Sequence, residues 1–116
     1  MQPLQKRIER LRQDISDAWN RLAVDAKQEE LKSVDVQLAN SEVWANVERA
    51  QLLSKQSAAL RAQVEPWMTL RSQVNDLLEF LELGDESMMQ EFDQQIAALE
   101  KEYAERRKDL LFNGSF

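Results

Sequence analysis

The 116-residue chain contains no cysteine and no histidine. Without thiols there is no disulfide scaffold and no thiolate metal site, which fits a reducing cytosol. Without imidazole there is no histidine zinc site and no histidine-dependent catalytic triad. Glycine and proline occur twice each, and no Gly-rich phosphate loop or Gly-x-Ser-x-Gly elbow is present. β-branched residues are sparse and unclustered, which argues against a sheet. Apolar runs are far too short to cross a bilayer. The N-terminal stretch MQPLQKRIERLRQDI lacks the apolar centre of a signal peptide.

What remains is helix-forming material. Ala, Glu, Leu, Gln, Lys and Arg dominate, and these residues lose little rotamer freedom in a helix. The net charge is −6, and it is unevenly spread. Residues 1–21 carry five basic and three acidic side chains, whereas residues 85–116 carry four basic and eight acidic. Counterion-releasing contact with nucleic acid needs a basic face, and none of any size is present, so strong direct nucleic-acid binding is not expected.

Periodicity predicts an all-α fold. Leu4, Ile8, Leu11, Ile15, Ala18 and Leu22 recur at spacings of four and three, the pattern of a heptad seam. The seam fails at Asp25, and a new stripe runs through Val24, Leu31, Val34 and Leu38. Residues 4–39 are therefore one helix broken near 23–26 or two consecutive helices, with Asp25 as a candidate N-cap and Gln28 as its capping-box partner. Asn40 and Ser41 close this stretch, and Asn46 is a candidate N-cap for the next.

A long stripe then runs through Ala50, Leu53, Ser57, Leu60, Val64, Trp67, Leu70, Val74, Leu77 and Leu81. Pro66 lies inside it, and the unbroken period favours one long, kinked helix. Gly84 is the expected helix stop and Asp85 the next cap. Met89, Phe92, Ile96, Leu99, Tyr103 and Leu110 mark a last helix over about 86–112, ended by Asn113-Gly114. The simplest arrangement is an antiparallel bundle of three long segments in one domain spanning residues 1–116.

Little here could carry chemistry. Glu29-Glu30, Asp85-Glu86 and Glu100, Glu102 and Glu105 fall on solvent faces near basic residues at helical spacing, which reads as ion pairing rather than catalysis. Arg106-Arg107-Lys108 are placed to favour a helix C-terminus, with a phosphate contact as the alternative, as it is for Arg7, Arg10 and Arg12. Trp19 and Trp67 are expected in the core. Trp44 sits in a turn, where it reads as a hydrophobic plug, or else as an exposed anchor at an interface. Met88-Met89 could form an adaptable contact surface, with core filling by Met89 the simpler reading. No catalytic, cofactor-binding or metal-ligating residue is assigned.

One set of motifs goes further. The turn Glu42-Val43-Trp44 is followed by Glu48-Arg49-Ala50-Gln51. Upstream lies Leu22-Ala23-Val24-Asp25-Ala26-Lys27, and downstream lie Leu77-Leu78-Glu79-Phe80-Leu81-Glu82 and Leu110-Leu111-Phe112-Asn113-Gly114. In this order and spacing they resemble the N-terminal helical domain of bacterial peptide chain release factors of type 2. The resemblance covers most of residues 22–116. It departs at Asn40-Ser41, where Gln-Pro is usual, and is weak over the first twenty residues.

The resemblance implies a role in translation termination. It implies docking on the ribosome, at the factor-binding region and stalk base, and cooperation with the class II release-factor GTPase. It also implies a cytoplasmic location. Family members release the peptide with a Gly-Gly-Gln loop and read stop codons with a Ser-Pro-Phe-type loop. Neither tripeptide occurs in these residues, so the hydrolytic activity is not carried over, and the chain reads as an isolated, non-catalytic N-terminal domain. The expected state is a monomer, without membrane contact. The rival reading is a generic helical adaptor that self-associates through the seam of residues 4–22.

Overall fold

Most positions of the expected stripes are buried. The computed structural model describes the backbone of residues 2–113 and the side chains of residues 2–108. Leu4, Ile8, Leu11, Ile15 and Ala18 are all buried along α1 (Gln2–Arg21). Val24 and Val34 are buried in α2 (Val24–Leu38). A single turn, α3 (Ser41–Trp44), leads into the long α4 (Val47–Glu82). Every position of the long stripe from Ala50 to Leu81, Ser57 included, is buried. A 3₁₀ turn (Glu86–Met88) precedes α5 (Met89–Asn113), which buries Phe92 and Ile96. The fold is all-α, with no strand among the described residues.

The first stretch is thus two helices. The break is made at Ala23, which adopts a left-handed conformation (φ 53°, ψ 48°) that disfavours any residue with a Cβ. The Ala23 carbonyl accepts from the amide of Lys27 at 3.0 Å, so Ala23 occupies the N-cap position without a side-chain cap. Asp25 is not the cap. It lies in the first turn of α2, and its carboxylate accepts from the indole N–H of Trp19 at 2.9 Å. That bond satisfies the polar edge of a ring that is otherwise buried.

The other punctuation follows the sequence. Asn46 accepts from the amide of Arg49, and Asp85 accepts from the amide of Ser87, each satisfying a donor that a helix start leaves open. Gly84 takes φ 70°, the left-handed stop that glycine adopts without penalty. Helix α4 passes through Pro66 without ending. Pro66 has no N–H to offer the carbonyl of Ala62, and the apolar stripe continues past that local loss. The side chains of Leu110, Leu111 and Phe112, and all of Gly114, lie outside the described residues.

The chain divides into two compact units, Met1–Ala18 with Trp67–Phe116, and Trp19–Pro66. In the first, Trp67 of α4 meets Tyr103 of α5 edge-on, with centroids 6.0 Å apart. Nearer the α4–α5 turn, Leu77 and Phe80 share a groove with Gln95 and Leu99. Residue numbers rise along α4 as they fall along α5, so the two helices are antiparallel. In the second unit, Val34, Val43, Ala50, Leu53 and Leu60 form one apolar cluster, with Leu31 and Leu38 packed against it. This cluster closes α2, α3 and the start of α4 into a hairpin.

Candidate docking surfaces

The residues of the Trp44 turn divide their work. Val43 is buried within the apolar cluster of its unit. Trp44 is 55% exposed, so the hydrophobic plug is Val43 and not Trp44. Neighbouring residues of a helical turn point in different directions, and only one of the pair can face inward. Trp44 is held at one edge, where its indole N–H donates to the carbonyl of Leu38 at 2.6 Å. Leu38 ends α2, so this bond serves a carbonyl that the helix end leaves without an intrahelical partner.

The Arg49-Ala50-Gln51 triplet is structural in part. Ala50 is 1% exposed and belongs to the cluster, where a larger side chain has no room without displacement. Arg49 reaches across to the side chain of Gln37 on α2. Gln51 is exposed. Below them the unit is tied by a polar set. Asp35 accepts from the Ser57 hydroxyl at 2.8 Å and forms an ion pair with Arg61. Gln56 donates to Glu30 at 3.2 Å.

In the other unit two of the basic candidates, Arg7 and Arg106, are engaged by carboxylates. Arg7 holds Glu100 through two bonds, the shorter 2.7 Å, and also pairs with Asp93. The hydrogen bonds to Glu100 and then Asp93 raise its guanidinium above its ordinary value, so it stays charged throughout the accessible pH range. These partners make Arg7 a clamp between α1 and α5, not an open phosphate contact. Arg106 pairs with Glu102 one turn back. Because α5 continues to Asn113, Arg106-Arg107-Lys108 precede the last turn and do not serve its C-terminus. Trp19 and Trp67 are core residues, each 3% exposed.

The remaining surface features are apolar. Val36, Trp44, Val47 and Leu52 are exposed in one unit. Phe80, Leu83, Met88 and Met89 are exposed in the other. Met89 is therefore not core filling: it is the first residue of α5, and the buried stripe begins one turn later at Phe92. Among the described residues there is no cluster of three or more carboxylates that could hold a metal ion. None of the described helices is long and apolar enough to cross a membrane. What the described residues offer is surface for contact.

The sequence pattern of the PCRF domain matches residues 27–113. The chain belongs to the PCRF domain family. The matched PCRF region takes in most of α2, the Trp44 turn, α4 and α5. Two curated relatives align with 97% of this PCRF chain. Peptide chain release factor 2 of Chloroflexus aggregans is 27% identical over 117 residues. Peptide chain release factor 2 of Aliivibrio fischeri is 34% identical over 120 residues. The chain spans 32% of the length of each.

Proposed function

We propose that this chain is a non-catalytic docking domain of a type 2 peptide chain release factor, acting in translation termination in the cytoplasm. The observation that carries the proposal is the alignment of almost the whole chain with one segment of two release factors of that type. Its partners are the ribosome, at the factor-binding region and stalk base, and the class II release-factor GTPase. Stiff helices suit this role, because they hold a contact surface at a fixed place while other parts of the factor act elsewhere.

The adaptor reading asks the seam of α1 to pair with a second copy. Leu4, Ile8, Leu11, Ile15 and Ala18 are already buried within the chain, so that seam is occupied and a monomer is expected. The experiment is co-sedimentation of the purified chain with ribosomes, alongside sedimentation of the chain alone. Saturable pelleting with ribosomes and a monomeric mass support docking. Failure to pellet, or concentration-dependent dimerisation, overturns it.

A further inference from the structure

The surface that ends the α4–α5 hairpin has an unusual composition. Leu83 is 78% exposed and Phe80 is 55% exposed, and Met88 and Met89 are each more than a third exposed. They lie within ten consecutive residues around the left-handed Gly84. The patch runs into a groove of about 300 Å³ between the two helices, lined by Leu77, Phe80, Ala98 and Leu99, with Asp76 in its wall. Exposed apolar surface of this kind, rimmed by polar groups, marks a site of protein contact. Two methionines give it a surface that can reshape around a partner.

Charge says what that partner is. From Ser72 to Glu100 the sequence has eight acidic residues and no basic one. Asp93 and Glu100 are taken up by Arg7. Asp76 lines the groove, and Glu79, Glu82, Asp85, Glu86 and Glu91 each stand within two positions of a patch residue in the sequence. A phosphate backbone would be repelled by this rim. A helix with one apolar face flanked by Lys and Arg would be drawn to it, and could set its apolar side chains in the groove.

We propose that the Phe80–Met89 end of the α4–α5 hairpin binds a basic amphipathic helix of a partner protein. The assignment rests on the docking reading above and narrows it: this face meets protein and not RNA. The apolar groove supplies affinity and the acidic rim supplies orientation.

The test uses the chain itself and three labelled probes: a short synthetic Leu/Lys amphipathic helix, a Ser/Lys peptide of equal charge, and a single-stranded RNA. The Leu/Lys helix is expected to bind, and the double variant Phe80→Ser, Leu83→Ser to weaken it by about tenfold or more. Both side chains are exposed, so the variant should keep the helical circular dichroism of the parent. Glu79→Gln with Glu82→Gln should weaken binding at low salt and flatten its salt dependence. Equal binding of the Ser/Lys peptide, binding of the RNA, or no effect of the double serine variant overturns the proposal.

Ribosome co-sedimentation separates this proposal from the docking reading. If the parent chain pellets and the double serine variant does not, the surface assignment is supported. If both pellet equally, docking stands and this surface is wrong. If the parent chain does not pellet, the docking reading fails and takes this one with it.

Discussion

The indole of Trp44 donates to the backbone carbonyl of Leu38 across the turn that joins α2 to α4. An exposed tryptophan thereby finishes a helix, while its neighbour Val43 fills the core. Replacing Trp44 with Phe keeps most of the ring and removes the donor. The expected loss is about 1 kcal/mol, the usual net value of one hydrogen bond. A lower urea midpoint at unchanged slope is the readout. An unchanged midpoint would show that water serves Leu38 equally well.

Ala23 should respond in the opposite sense. Its left-handed backbone costs an alanine more than a glycine. Ala23→Gly is expected to stabilise the chain by up to about 1 kcal/mol, after the greater freedom of glycine in the unfolded state is set against it. Thermal unfolding of the two proteins side by side decides the sign.

Asp35 and Ser57 give an asymmetric pair. Ser57 is 7% exposed, and its hydroxyl donates to Asp35, which also faces Arg61. Ser57→Ala removes one donor from a carboxylate that keeps another, at about 1 kcal/mol. Asp35→Ala leaves both the buried hydroxyl and Arg61 without this acceptor, and should cost about 2 kcal/mol. Equal losses for the two substitutions would contradict this ranking.

The Arg7–Glu100 clamp joins residues 93 positions apart. Both side chains are more than a third exposed, so solvent screens them. A double-mutant cycle with Arg7→Met and Glu100→Gln should give a coupling of about 0.5–1 kcal/mol that shrinks in molar salt. A coupling insensitive to salt would mean that the pair acts through packing instead.

These residues also show what the sequence discloses and what it hides. Helical periodicity places Val64, Leu70 and Val74 in the core because each stripe position repeats a local geometry, and all three are buried. Pro66 does not end α4, since the apolar period carries across one missing bond. Caps such as Asn46 and Gly84 are local, and they too are readable. Asp25 is misread because its partner is the Trp19 ring, a contact that capping rules do not contain. Met89 is misread because it keeps the period of the stripe but is the first residue of α5, and periodicity does not show where along a helix burial starts. Arg7 is hidden for a further reason: i,i+4 reasoning sees neighbours along one helix, and its carboxylates lie on another.

The unit built from Met1–Ala18 and Trp67–Phe116 takes its pieces from opposite ends of the sequence, and this sets an order of events at birth. During synthesis Ile8 and Ile15 emerge long before Phe92 and Ile96. At about 5–20 residues per second, that apolar stripe waits for several seconds. The unit of Trp19–Pro66 is contiguous and can close on its own local contacts in the meantime. Helix α1 is thus made before the partners that bury it, and its apolar stripe stays exposed during that interval.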